Sequence, residues 1–374
     1  MPVTGTTFRA SLPRGPRACG ETGHEFFPAF FRSEYVVHPR LRLTTAALAA
    51  TALLTGLAAC GGDDTETPEA STSSSSEPVD EATETPEPPA LWPLTGLEVK
   101  GKTPSHPVLV TKVDNTSSSS PQVGLGSADM VVEELVEGGM TRLAAFYHSD
   151  VPPVVGPVRS MRASDIGIVP NGAHVITSGA AAITLGRIKK AGIPFVTEGA
   201  KGIYRDTSRF APYNLFSNPD VIAKGIKGGE APDPYLEFGT SADYPGKKPA
   251  RTLSAAFGGH TTTWAFQGGK YVNTNSYAAQ GDEFPATSVL VLRVKIGDAG
   301  YRDPSNYPVP ETLFEGTGPA QLFHAGKVVQ GTWSKAGLNG AIKLSTKKGD
   351  LTVPAGRIWI ELVPQGTGSL TWAK

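Results

Sequence analysis

ADMVVEELVEGGMTRLAAFYHS, residues 128–149, sets two strand-like runs around Gly138-Gly139. A Gly-Gly pair between apolar, β-branched runs signals a two-residue hairpin, because both turn positions need a left-handed backbone. With those glycines as the turn, Glu137 faces Met140, Leu135 faces Arg142 and Glu133 faces Ala144. Side chains alternate along a strand, so Glu133, Glu137 and Arg142 share one face and Glu134 points the other way. A solvated charged face is the plain alternative to a functional one. A helical stripe of Met130, Glu133, Glu134 and Glu137 also exists, but the glycines and the β-branched residues favour strands.

Upstream, HPVLVTKVDN (106–115) reads as a buried strand with Asp114 and Asn115 at its C-terminal end, where ligands collect in mixed α/β sheets. Downstream comes GPVRSMRASD (156–165). A helix starting near Ser160 puts Arg159 at its mouth and Arg162 in its first turn, against the helix dipole unless an anion or carboxylate compensates. AHVITSGAAAITLGRIKKAGIP (173–194) reads as a strand, a Ser178-Gly179 turn and a helix capped by Ser178. Arg187, Lys189 and Lys190 suit its last turn, and Gly192 and Pro194 end it. Its N-terminus is either an anion site or an ordinary β-α junction. YRDTSRFAPYN (204–214) is a second knot of mixed charge, with Arg205, Asp206, Arg209 and Asn214. Guanidinium forks suit carboxylates and phosphates, so Arg142, Arg159, Arg162, Arg205, Asp206, Arg209 and Asn214 form the candidate ligand-binding set. Asp114, Glu133 and Glu137 are the candidate acid and base groups.

From about 245 onward the chain is rich in Gly, Thr and aromatic residues, with short strand signals at regular intervals. TTTWAFQGGKYVNT (261–274) is a Gly-Gly hairpin, and TSVLVLRVKI (287–296) is a long buried strand. AQLFHAGKVVQGTWSK turns at Ala-Gly-Lys, and GRIWIELVP closes the series. Hairpins at this spacing predict an antiparallel sandwich or barrel, with Trp264, Trp333 and Trp359 in its core. The expected fold class is α+β: a mixed α/β domain over 92–240, then a mainly antiparallel β domain over 241–374.

The 374 residues hold 34 Lys and Arg against 35 Asp and Glu, a net charge of −1. That near-balance hides an asymmetry. Residues 61–90 carry nine acidic and no basic residues and residues 1–59 carry six Arg against three Glu, which leaves 91–374 at +5. This falls short of a nucleic-acid footprint. Cys19 and Cys60 are the two cysteines, so a disulfide framework or zinc-thiolate site beyond position 60 is excluded. There is no metal-ligand His spacing, Walker loop or G-x-S-x-G elbow, and neither a cofactor nor a metal is expected.

RLRLTTAALAATALLTGLAACGG, starting at Arg40, combines a positive n-region, an uncharged apolar run over 43–59, and Leu57-Ala58-Ala59-Cys60. The run is short for a membrane span and suited to a signal peptide, and its end resembles the bacterial lipobox, with Cys60 the lipidated residue. Residues 1–36 lack any period and read as an extension from a start site assigned too early, so the signal peptide spans 37–59. Residues 60–91 read as an acidic tether, too polar to bury a core.

WPLTGL (92–97), VTKVDN (110–115), VEGGMTR (136–142), GPVRSMR (156–162) and YRDTSR (204–209) together resemble the YerB-type bacterial lipoproteins. FHAGKVVQGTWSK (323–335) and PAGRIWIELVP (354–364) extend the resemblance over nearly all of 92–374. That family is defined by a domain of unknown function. The resemblance implies an envelope location and a two-part architecture, and no activity. The chain departs from the family at Tyr213-Asn214, where a His-Asn pair is expected, and at ITSGAAA, where a His-Ala-Gly-Gly-like segment is expected. Both departures remove acid/base histidines.

The resulting expectation is a lipid-anchored extracytoplasmic protein on the outer face of the cytoplasmic membrane. It would bind an anionic or polyhydroxylated envelope component, or an envelope protein, through its Arg/Glu/Asp cluster. A cell-wall polymer hydrolase or transferase with paired carboxylates is the alternative, and an internal salt-bridge network is a third reading.

Overall fold

Apolar runs such as MVVEEL and IWIELVP lack the polar alternation of a half-exposed strand, and they form strands buried on both faces. The structure is a computed structural model and describes residues 89–229 and 232–374. The extension 1–36, the signal peptide 37–59, Cys60 and residues 61–88 of the tether lie outside the described residues.

In chain order the first strands are β1 (Leu109–Asn115), β2 (Met130–Leu135), β3 (Thr141–Tyr147), β4 (His174–Ile176) and β5 (Phe195–Val196). The small strands β6 (Ile203–Arg205), β7 (Leu215–Ser217), β8 (Phe238–Gly239) and β9 (Lys248–Pro249) follow. Next come β10 (Thr252–Ala256), β11 (Thr261–Gln267), β12 (Lys270–Asn273) and β13 (Ser288–Arg302). The run continues through β14 (Pro308–Leu313), β15 (Gly316–His324), β16 (Lys327–Lys335), β17 (Ile342–Thr346) and β18 (Gly349–Leu351). It ends with β19 (Val353–Pro354), β20 (Ile358–Pro364) and β21 (Ser369–Ala373). The helices are short: α1 (Asp165–Ile168), α2 (Ala182–Lys190) and α3 (Pro219–Gly225).

The expected α/β domain followed by a β domain is not what forms. A single mixed sheet of thirteen strands runs through both regions, in the order β18-β17-β16-β15-β13-β20-β2-β3-β1-β4-β5, with β14 and β9 attached at the sides. The junction is β20. Far from closing a barrel, it lies parallel to β2 on one side and to β13 on the other, pairing Ile360 with both Val132 and Leu290. Four further strands, β12-β11-β10-β21, make a separate antiparallel sheet.

Each face of the large sheet has its own core. On one face Val110, Val132, Ala144, Phe146, Leu290 and Ile360 pack with Ile168 of α1 and Ile188 of α2. On the other, Val113, Val131, Leu143, Val291 and Trp359 pack with Leu253, Trp264 and Tyr271 of the four-stranded sheet. Trp264, Trp333 and Trp359 are all buried, as core tryptophans should be. A buried side chain of this kind contributes roughly 1.5–3 kcal/mol.

Three local expectations need correction. At 268–269 the Gly-Gly signal gives the two-residue turn it predicts, with Gln267 facing Lys270. At 138–139 it gives a three-residue loop over 137–139, because Leu135 pairs with Thr141 and Glu134 with Arg142. The register is displaced by one residue, and a one-residue slip exchanges the faces of every side chain. Glu134, not Glu133, therefore shares a face with Arg142. The cause is tertiary: the Gly139 carbonyl accepts from the amides of Gly259 (2.9 Å) and His260 (3.0 Å). A Cβ at Gly139 would stand 2.5 Å from the Gly259 nitrogen. The helix expected from Ser160 starts at Asp165 instead, leaving Arg159 and Arg162 in an irregular segment, and α2 starts after Ala181 rather than Ser178.

Candidate functional site

The face shared by Lys112, Asp114, Glu134 and Arg142 carries a layered charge cluster. Innermost is Lys112, fully buried, whose Nζ lies 2.7 Å from both Glu134 Oε1 and Asp165 Oδ1. Burial works against the ammonium, but the charges of Asp165 and Glu134 outweigh it, and the Lys112 pKa ends above the ordinary lysine value. Burial raises the Glu134 carboxyl, an effect that Lys112 opposes and Asp165 reinforces.

The next layer is arginine. Arg142 is 5% exposed; its Nη1 donates to the Ser160 carbonyl (3.1 Å), while its buried Nε has no partner among the described residues. Burial, then the charges of Arg162 and Arg159, pull its pKa down to about 10, against the opposing pull of Asp114 and Glu137. Arg159 Nε lies 2.9 Å from Asp114 Oδ2, although its N–H is not aimed at the oxygen. Arg162 donates through Nε (3.1 Å) and Nη2 (2.6 Å) to Glu137 Oε2. Burial raises the Glu137 carboxyl, but the Arg162 charge and hydrogen bonds prevail and hold it below the usual carboxylate range. Here the structure brings together Arg142, Arg159, Arg162, Asp114 and Glu137. Backbone bonds from Met161 N to the Gly179 carbonyl and from Ser178 N to the Arg159 carbonyl hold this segment beside the approach to α2.

Arg205, Asp206, Arg209 and Asn214 stand apart from that cluster. Arg205 forks onto Glu198 (2.5 and 2.6 Å) and donates to Asn214 Oδ1 (2.7 Å) at an exposed edge. Asp206 accepts from the Ser208 hydroxyl (2.6 Å) and lies 3.9 Å from Arg209 Nε. Arg209 is pinned by the carbonyls of Ser119 (3.3 Å) and Pro121 (2.5 Å), with its guanidinium 5.0 Å from the Phe216 ring centroid. Tyr213 is one link between the two groups. Arg159 lies over its ring at 5.3 Å. Tyr213 also lines a groove of about 410 Å³ with Ser118, Ser120, Ser208, Arg209 and Phe210.

Glu133 lies on the opposite face. It is fully buried and accepts from Thr262 Oγ1 (2.9 Å), Asn115 Nδ2 (3.1 Å) and Trp359 Nε1 (3.2 Å), with His260 Nε2 at 3.5 Å. Its strand partner is Glu361, also fully buried, which accepts from Trp264 Nε1 (2.8 Å). Burial, then the Glu133 charge, push the Glu361 carboxyl well above the usual carboxylate range. Sequence reasoning missed Lys112, Glu134, Asp165 and Glu361. The visible signal was a charged residue inside an otherwise apolar run. Among the described residues no group of three or more His, Cys, Asp or Glu is placed to hold a metal ion.

Comparison with known proteins gives one consistent result. The model described as "Protein of unknown function (DUF3048) N-terminal domain" matches residues 94–231, and that of the corresponding C-terminal domain matches 252–360. The chain is 27% identical over 297 residues to "Putative lipoprotein YerB" of Bacillus subtilis (strain 168), covering 73% of this chain and 86% of that protein. The crystal structure of YerB protein from Bacillus subtilis superposes with a TM-score of 0.64 at 22% identity, over 75% of this chain and 99% of that one. At that identity the likeness is one of fold.

Proposed function

The chain belongs to the DUF3048 family, and on that premise we propose that it is a lipid-anchored extracytoplasmic protein that binds an anionic envelope component. The lipoprotein name of its relative supports the anchor, and Cys60 in its lipobox-like context is the residue that would carry it. The binding surface is the cluster of Arg142, Arg159 and Arg162 with Asp114 and Glu137.

One observation carries this reading. At Arg142 the like charges of Arg162 and Arg159 outrank the attraction of Asp114 and Glu137, and a buried N–H is left unpaired. A perturbed, under-neutralised cation beside a partly exposed surface marks a site that gains from one more negative group. Asp114 and Glu137 each face an arginine, and Glu133 is sealed on the other face, so no observation favours the hydrolase alternative.

Thermal unfolding in the presence of inorganic phosphate or a sugar carboxylate tests the reading. At about a hundredfold excess over Kd, a ligand specific to the native state stabilises by roughly 2.7 kcal/mol. Arg162→Ala, which also removes two hydrogen bonds to Glu137, is expected to lose that gain, read against the variant's own melting temperature without ligand. No anion-dependent stabilisation of the unaltered protein would overturn it.

A further inference from the structure

We propose that the groove beside the arginine cluster is a sugar subsite, so that the ligand is a glycan carrying carboxylate groups. This rests on the anion-binding reading above and extends it to the ligand's neutral part.

Phe210 is 90% exposed, the most exposed large apolar side chain among the described residues. A single exposed ring is ordinary on a protein surface; what sets this one apart is its place on the wall of a groove otherwise lined by hydroxyls and a guanidinium. Its surroundings limit what that partner is. The groove wall holds the hydroxyl-bearing Ser118, Ser120 and Ser208, all exposed, together with Arg209 and the Tyr213 ring. A purely apolar ligand would desolvate those groups without pairing them. A pyranose ring fits both demands, offering one apolar C–H face to an aromatic ring and a rim of hydroxyls to Ser and Arg donors. The groove at about 410 Å³ lies in the size range of small-molecule clefts.

The subsite is also built stiffly. Two backbone carbonyls and the Phe216 ring fix the Arg209 guanidinium, so its remaining donors are pre-oriented. Tyr213 forms the shared wall, with Arg159 on its ring and Arg159 paired in turn to Asp114. A sugar on the Phe210 side would therefore bring an attached carboxylate toward Arg159 and the cluster behind it. Charge complementarity then selects an acidic glycan over a neutral one.

The test is calorimetric titration of the protein with three probes. These are peptide-free glycan strands of alternating N-acetylhexosamines bearing lactyl carboxylates, the same strands after carboxyl reduction, and inorganic phosphate alone. The expected result is tighter binding of the carboxylated strands than of the reduced ones. Phe210→Ala weakens both by about tenfold, equivalent to about 1.4 kcal/mol. Phe210→Trp retains binding and Phe210→Leu does not, which separates ring stacking from simple apolarity. Arg162→Ala weakens only the carboxylated form. So exposed a side chain leaves the fold intact when changed, and an unaltered melting temperature confirms that for each Phe210 variant. Glycan binding indifferent to Phe210→Ala overturns the sugar subsite, as does binding of phosphate without either glycan, and both leave the arginine site standing. If no probe binds, both readings fall together.

Discussion

Glu133 and Glu134 are neighbours on β2, and each is fully buried, yet the two faces of the sheet accommodate them in different ways. Glu134 meets a lysine: Lys112 sits between it and Asp165. Glu133 meets another carboxyl, that of Glu361, under two indole N–H donors. The first face compensates charge with charge and grades outward into arginines at the surface. The second sets one carboxyl against another, so that burial and then the Glu133 charge push the Glu361 carboxyl well above the usual range, and it lies beneath the four-stranded sheet. Burial of a carboxylate is thus not itself a functional sign; what separates the faces is whether the compensation continues to solvent.

The largest effect should come from breaking the lysine-centred arrangement. Lys112→Met leaves Glu134 and Asp165 buried without their cation, and a loss of about 3–5 kcal/mol is expected in urea unfolding. Adding Glu134→Gln to that variant should recover part of the loss, since one of the stranded charges is then removed.

The pair of Glu133 and Glu361 gives an intermediate, pH-dependent effect. The folded-state pKa of Glu361 lies above its unfolded value, so its stabilising contribution is complete below the ordinary carboxylate range and is lost as pH rises through the raised value. Glu361→Gln removes the charge and keeps an acceptor for Trp264. Melting curves of the two proteins should coincide near pH ~4 and diverge toward alkaline pH, with the Gln variant the more stable. Parallel curves across the whole range would count against a raised pKa at this position.

The smallest effect belongs to the exposed knot. Arg205→Ala removes the fork onto Glu198, but both groups are largely in water, and the change in unfolding free energy should stay below about 0.5 kcal/mol. A larger loss would mean that this edge contributes to the fold as the buried cluster does.

Much of the secondary structure was legible from local pattern. The apolar runs around 109–115 and 288–296 and the two-residue turn at 268–269 follow from composition and glycine placement. The same glycine signal misled at 138–139, because Gly139 is engaged by Gly259 and His260, residues more than a hundred positions away. That one-residue slip reassigned Glu133 and Glu134, and with them the membership of the candidate site. The convergence of Arg142, Arg159 and Arg162 was foreseeable in kind, since arginines near a helix start need negative partners. Their actual partners, Asp114 and Glu137, depend on the true register. Glu361 gave a local hint, as a lone acid within IWIELVP, but nothing near it in sequence identifies Glu133 as its neighbour. Nor does any local feature show that one sheet joins the two family-matched regions.

The position of β20 bears on how the chain matures. Its seven residues lie between β2 and β13, strands that precede it by roughly two hundred and by several dozen positions. Until Ile358–Pro364 become available, both partners present open, apolar ladders to anything nearby, the condition that favours misassembly. A polypeptide emerging N-terminus first is therefore held in an unfinished state for most of its emergence, and a fragment cut ahead of Ile358 lacks the piece that joins its halves. Pairing a late strand between two earlier ones raises the sequence separation of the fold's contacts, the property that slows folding in general.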